Sequence, residues 1–162
     1  MNKIAISILL PLAVVLLCSM NAEAQDKSYG VSTSAAEYYS PKTGEWAYEV
    51  GIGYLFSKTG VKVNYGQIGL APGRKVHEET ISFYSPINLV AHTFSMTTEI
   101  SAGIMHGHIY PEGKTSVLPQ IQLGVSLDYM ISRHTSCGFT FKSVSYKGNT
   151  IPLIGCYCST HF

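Results

Sequence analysis

Residues 118–130 are Leu118-Pro-Gln-Ile-Gln-Leu-Gly-Val-Ser-Leu-Asp-Tyr-Met130, and their alternation decides the fold. Successive side chains of a strand point to opposite faces, so a period of two this long predicts one strand between two different environments. One face is bulky and apolar: Ile121, Leu123, Val125, Leu127, Tyr129 and Ile131. The other is small and nearly uncharged: Gln120, Gln122, Gly124, Ser126 and Asp128. The asymmetry predicts a wall with lipid outside and a crowded polar interior.

The same alternation returns in residues 45–56 and, more weakly, in residues 136–146. Segments rich in Gly, Pro and Ser divide the rest of the chain into strands. The longest loops are expected at residues 71–77 and 110–116, and Pro86 interrupts the alternation of the fourth strand. The pattern predicts eight strands, at about 28–40, 45–56, 61–70, 79–89, 98–109, 117–131, 136–146 and 150–162.

An even number of strands about ten residues long is typical of a transmembrane β-barrel. Such a sheet must close, because lipid cannot hydrogen-bond an open edge. We therefore predict an all-β, eight-stranded antiparallel transmembrane barrel over residues 25–162. The alternative is a soluble exported barrel or sandwich with its apolar faces inward. A water-facing surface should carry many Lys and Glu, whereas the polar faces here carry Gly51, Gly53, Gly124 and Ser126.

The N-terminus predicts export. Lys3 precedes an apolar run from residue 4 to residue 17, and Ala22-Glu-Ala24 follows with small residues at the positions that a signal peptidase recognises. We interpret residues 1–24 as a signal peptide cleaved after Ala24, with the bacterial outer membrane as the destination. A lipoprotein anchored at Cys18 is the alternative, but Leu17 is larger than the residue that usually precedes such a cysteine.

The amino-acid composition limits the classes of partner that we expect. Charged residues make up 13% of the chain and the net charge is +1, which gives no reason to expect nucleic acid. Three cysteines remain after cleavage, so at most one disulfide forms, between Cys137 and either Cys156 or Cys158. The polar side chains of the strands predict a paired network inside the barrel, formed by Glu45, Glu49, Lys62, Gln120, Gln122, Asp128 and Lys142.

A resemblance can be named from the C-terminal third. Residues Leu123-Gly-Val-Ser-Leu-Asp-Tyr129, a short turn, Gly138-Phe-Thr-Phe141 and a last strand ending at Phe162 resemble the small OmpX/Ail-type outer-membrane barrels. The resemblance implies a non-enzymatic role in envelope integrity or in surface interaction such as adhesion or host defence. It also implies contact with outer-membrane lipid and lipopolysaccharide, a monomer and no cofactor.

A second, weaker similarity suggests an enzyme. Residues Phe141-Lys-Ser-Val-Ser-Tyr-Lys-Gly148 are similar to the active strand of the lipid A 3-O-deacylases. Ser145 matches the nucleophile of that family, but Ser143 stands where the family has its histidine. A serine without a general base is a poor nucleophile, and His108 is expected two strands away. We therefore expect no catalytic site and keep a lipid A acyl hydrolase as the alternative function.

The spacing of two histidines resembles that of metal ligands, but it is not sufficient for a metal site. His106-Gly-His108 places two imidazoles on one face of a strand, but two ligands do not make a metal site. Interfacial histidines beside a loop are the preferred interpretation, and no metal is expected. His77 and His134 are both predicted to lie in loops.

Overall fold

The computed structural model describes residues 29–56, 59–90, 94–107, 116–132 and 134–162. Each strand in these residues pairs antiparallel with its neighbours in sequence, and β1 also pairs with β8, which closes a barrel. The predicted fold class, an eight-stranded antiparallel transmembrane β-barrel, is confirmed. The signal segment lies outside the described residues. The strands are β1 (Tyr29–Tyr39), β2 (Trp46–Phe56), β3 (Thr59–Ala71), β4 (Arg74–Val90), β5 (Phe94–Gly107), β6 (Ser116–Met130), β7 (Thr135–Tyr146) and β8 (Asn149–His161).

The barrel has two unlike ends. We call the end with the connections after β1, β3, β5 and β7 the distal end, and the end where β1 begins and β8 ends the proximal end. The long loop predicted at residues 71–77 is wrong, because Ala71 already pairs with Arg74 across a turn at residues 72–73. Gly73 adopts a φ of 73°, which suits a tight hairpin turn. Most of the second predicted loop lies outside the described residues.

The fourth strand is longer than predicted. β4 runs through Pro86, which pairs with Thr97 of β5, and the strand ends only at Val90. Proline lacks an N–H donor, but its fixed φ is compatible with an extended backbone. The ladder with β5 continues on both sides of Pro86, so the proline interrupts the polarity pattern without ending the strand.

The outer surface of the barrel is apolar. Side chains along the middle of the wall are more than half exposed, for example Ile52 at 66%, Phe83 at 61% and Leu123 at 57%. Isolated exposed apolar residues are ordinary, but a continuous band of them around the whole sheet needs a nonpolar surrounding. This arrangement contradicts the alternative of a soluble barrel, in which the same residues would fill the centre.

Aromatic residues border the apolar band at both ends. At the distal end Tyr39 and Trp46 pack with ring centroids 5.4 Å apart, beside Tyr48 and Tyr65. At the proximal end Tyr54 packs on Phe56 at 4.8 Å, and Phe94 on Tyr129 at 5.3 Å. Aromatic girdles mark the two membrane–water interfaces of transmembrane barrels. No helix in the described residues is long and apolar enough to cross a bilayer.

The sequence predicts a polar lumen, but the structure shows that part of the lumen is apolar. At the distal end a group of apolar side chains fills it completely: Ala36, Tyr38, Ala47, Ile68, Val76, Met105, Val144, Ile151 and Leu153. Ile68, Val76 and Met105 have no exposed surface. We call this group the distal core. An eight-stranded barrel is only wide enough for its own side chains, and here they close it to water at this end.

Register decides the disulfide. Cys137 lies directly opposite Cys158 in the β7–β8 ladder, and the two are bonded. Cys156 lies opposite Phe139 instead, and its thiol is free and exposed on the outer wall. The bridge therefore joins the last two strands of the barrel, and the alternative pairing of Cys137 with Cys156 is excluded.

Trp46 gives a direct test of which face meets lipid, because it is the single tryptophan of the chain and points outward in the distal girdle. In protein refolded into liposomes, we expect its fluorescence to be quenched strongly by lipids brominated near the headgroup and weakly by aqueous iodide. Bromines placed at the centre of the bilayer should quench less. Strong iodide quenching with no effect of any brominated lipid would contradict the outward lipid contact.

Candidate functional site

The middle of the lumen contains a cluster of charged side chains. Lys142 of β7 donates to Glu49 of β2 at 2.6 Å, and both side chains are almost fully buried. Glu99 of β5 lies 2.9 Å from the ammonium of Lys62 and 3.9 Å from that of Lys142. Buried charges of opposite sign compensate each other only when geometry and hydrogen bonding are good. We call these residues, together with their hydrogen-bonded neighbours below, the lumen network.

Amide and hydroxyl groups complete the lumen network. Glu78 of β4 accepts hydrogen bonds from Gln120 at 3.2 Å and from Gln122 at 2.5 Å. Asn64 donates to Ser82 at 2.5 Å, and the hydroxyls of Ser82 and Ser101 lie 2.8 Å apart. The Glu78 carboxyl group is thus satisfied by two amide donors, as expected of a buried acceptor.

Most of the predicted interior residues meet as expected. Glu49, Lys62, Gln120, Gln122 and Lys142 all belong to the lumen network. Two other predicted members lie elsewhere, because their positions along the strands differ. They are Asp128, which accepts from Ser95 and Thr97 nearer the proximal end, and Glu45, which accepts from the Gly73 amide at the distal rim.

Sequence reasoning missed Glu78 and Glu99, although both are central to the lumen network. Glu78 falls between the loop predicted at residues 71–77 and the strand predicted at about 79–89, whereas β4 already begins at Arg74. The missed signal was the alternation of Glu78, Thr80 and Ser82 with Glu79, Ile81 and Phe83, which has the same period of two as β6.

The lumen network connects strands across the barrel. It joins β2 to β7 and β3 to β5 through side chains that lie far apart in sequence. The distal core lies on its distal side, and the side chains of Lys142 and Glu49 are only 2% and 4% exposed. These contacts fix the strands against one another across the lumen.

The two candidate serines lie on the outer wall, as predicted. Ser145 is exposed opposite Ile121 and Thr150, and its hydroxyl lies 3.2 Å from the Thr150 hydroxyl. Ser143 lies opposite Leu123 and Pro152, and it lines a shallow groove of about 770 Å³ that crosses the lipid-facing wall from β3 to β8.

The histidines are distant from these serines. His108 lies outside the described residues. The ladder row of Ser145 crosses β5 at Ala102, four residues before His106. That separation is roughly 13 Å along the strand, besides two interstrand spacings of about 5 Å each. The described partner of Ser145 is a hydroxyl, which cannot serve as the general base that a serine nucleophile requires.

Two histidines meet on the outer wall at the distal end. His77 belongs to β4 and not to a loop, and it lies directly opposite His106 of β5. Their rings stack with centroids 5.5 Å apart, and the Tyr65 hydroxyl lies 3.0 Å from Nδ1 of His77. His134 lies in the β6–β7 connection, as predicted. Among the described residues, no group of three or more His, Cys, Asp or Glu is arranged around a common metal position.

Comparison with known proteins identifies the fold only. No family model matches this chain, and no curated protein matches it. The N-terminal barrel domain of OprF from Pseudomonas aeruginosa superposes with a TM-score of 0.63 at 9% identity, covering 85% of this chain and 100% of that one. The fold is that of the small outer-membrane β-barrels.

Two further structures agree. Neisserial surface protein A superposes with a TM-score of 0.59 at 12% identity, covering 84% of this chain and 98% of that one. The outer-membrane protein Ail of Yersinia pestis gives a TM-score of 0.52 at 11% identity, covering 82% and 99%. Identities this low transfer an architecture and no activity.

The Glu49–Lys142 pair can be tested by a double-mutant cycle. Lys142→Met leaves the Glu49 carboxylate buried and unpaired, so we expect the free energy of unfolding to fall by about 3–5 kcal/mol. Glu49→Gln with Lys142→Met should recover a large part of that loss, since no lone charge then remains. Urea unfolding of the refolded barrel, followed by gel mobility, measures both. A Lys42→Met variant at the exposed distal turn serves as the control, and an equal loss there would contradict a special role for the pair.

Proposed function

We propose that the protein is a monomeric outer-membrane barrel that contributes to the integrity of a Gram-negative envelope, without catalysing a reaction. The observation that carries this proposal is the outward apolar band between two aromatic girdles, around a lumen closed by its own side chains. In this proposal residues 1–24 form the signal peptide, cleaved after Ala24. Lipopolysaccharide and phospholipid are then the partners of the outer wall.

A channel function is disfavoured by the lumen. The distal core has four side chains with no exposed surface, and the buried Glu49–Lys142 pair lies below it. Water and ions would have to displace both to pass. Side chains packed to this extent make the barrel a solid cylinder rather than a pore.

Surface interaction is the narrower form of the proposal, and two of the four distal connections argue against it, whereas the β1–β2 connection is longer, at residues 40–45. The β3–β4 and β7–β8 connections each have two residues, so these hairpins present little backbone above the membrane. Adhesion usually depends on long loops carried by a rigid scaffold. We therefore favour a role inside the envelope over one in contact with host surfaces.

Deletion of the gene tests the proposed function. We expect the deletion strain to admit more hydrophobic antibiotic and detergent, and the wild-type gene to restore the barrier. The protein should fractionate with outer membranes and migrate differently on gels before and after heating. A deletion strain with normal permeability, serum survival and cell binding would contradict the role, whereas absence from the outer membrane would contradict the location itself.

A lipid A acyl hydrolase remains the second candidate, favoured by the outward position of Ser143 and Ser145 beside a lipid-facing groove. In such a reaction the serine hydroxyl would attack the acyl carbonyl, and the glycolipid hydroxyl would leave before water releases the acid. This candidate is weakened because the described partner of Ser145 is a hydroxyl and not a general base.

Mass spectrometry of lipid A decides between the two candidates. We expect no loss of an acyl chain when the wild-type protein is expressed in a host that lacks it. Loss of one acyl chain by wild type that is abolished in Ser145→Ala would establish the hydrolase instead.

A further inference from the structure

The proposed function leaves one side-chain arrangement unused. The rings of Tyr65, His77 and His106 stack across three adjacent strands on the outer wall at the distal end, and we call them the ring stack. Centroid distances are 5.9 Å between Tyr65 and His77 and 5.5 Å between His77 and His106. Both ring pairs are stacked at 24°. Apolar contacts would serve a lipid-facing wall better, so this group requires its own explanation.

The register gives the two imidazoles the spacing of a chelate. Residues directly opposite on antiparallel strands have Cβ atoms about 4.5–5.5 Å apart, and His77 and His106 occupy such positions. A metal ion binds imidazole nitrogen at about 2.0–2.1 Å. The two rings are stacked at 24°, so with His77 held by Tyr65 the His106 ring must rotate out of the stack to bring one of its nitrogens to an ion on His77.

Tyr65 orients the first imidazole. Its hydroxyl lies 3.0 Å from Nδ1 of His77, a contact that holds the ring plane whichever tautomer is present. When Nδ1 carries the proton and donates it to the Tyr65 oxygen, the lone pair of Nε2 is left for a metal, and metal binding selects this tautomer. An outer hydrogen bond to the second ring nitrogen accompanies almost every metal-binding histidine in proteins. This contact is an observation independent of the spacing.

We propose that His77 and His106 bind one divalent first-row transition-metal ion, with Nε2 of His77 as one ligand and an imidazole nitrogen of His106 as the other. Two histidines alone do not complete a metal site, so water or an external donor must supply the remaining ligands, and the described residues offer no third His, Cys, Asp or Glu. Imidazole suits Zn²⁺, Ni²⁺ and Cu²⁺, and affinity should rise in the Irving–Williams order, with Cu²⁺ strongest.

The surroundings indicate where the ion would lie. The two histidines share a ladder row with Tyr48 and Gln67, next to the distal aromatic girdle. If the proposed membrane orientation holds, this is the level of the outer-leaflet headgroups, whose phosphate oxygens are donors for an open coordination position. The binding itself does not depend on that orientation, so it can be tested in detergent.

The experiment uses full-length, tag-free mature protein refolded in detergent, in a Cys156→Ser background that removes the exposed free thiol. Isothermal titration with Ni²⁺ should give one site per chain. His77→Ala and His106→Ala should each weaken binding by at least tenfold, because one imidazole cannot chelate. Tyr65→Phe keeps both ligands and should weaken binding by about tenfold, the lower end of the effect of losing an outer hydrogen bond.

The matched control is His134→Ala, which removes a histidine of the β6–β7 connection and should leave affinity and stoichiometry unchanged. Heat-modifiable migration confirms that each variant is folded. Ni²⁺ should also raise the urea midpoint of wild type relative to EDTA, since a ligand that binds only the folded state stabilises it. The inference is overturned if His77→Ala and His106→Ala bind Ni²⁺ as wild type does, or if wild type shows no site.

Discussion

The whole structure depends on the pairing of β1 with β8. A membrane offers no donor or acceptor to an unpaired strand edge, so the sheet must close on itself to satisfy its backbone. Ladder pairs from Ser32–His161 to Tyr39–Ile154 provide this closure. The disulfide between Cys137 and Cys158 lies one strand away and links β7 to β8 in the register of their ladder. Every inward and outward assignment follows from the closed cylinder.

Closure also determines what fills the centre. An eight-stranded barrel has room only for its own side chains. In this protein those side chains form two regions. The distal core is apolar and excludes water, whereas the lumen network beneath it is charged and hydrogen-bonded. The charged part carries a desolvation cost, but it specifies which strands face each other across the lumen, in particular β2 and β7 through Glu49 and Lys142.

Since the lumen is closed, binding chemistry is confined to the outer wall and the rims. The outer wall carries Ser143 and Ser145 near its distal end, and the ring stack of Tyr65, His77 and His106 lies on other strands. The two groups do not meet, which separates a nucleophile from any imidazole base on the described strands. The histidines instead lie opposite each other, and this arrangement is the basis of the proposed metal site.

The sequence by itself determined the strands and their faces, because side-chain direction has a period of two that polarity makes visible, as in residues 118–130. It also determined that Glu49, Gln122 and Lys142 point inward. Partners across the barrel were decided only by the tertiary structure. Pairing depends on register, which the turn lengths and the closure set together. A turn two residues long, where a longer loop was expected, moved Glu78 into the lumen network and His77 opposite His106. Strand register also places Cys158, and not Cys156, opposite Cys137, which residue spacing in the sequence does not reveal.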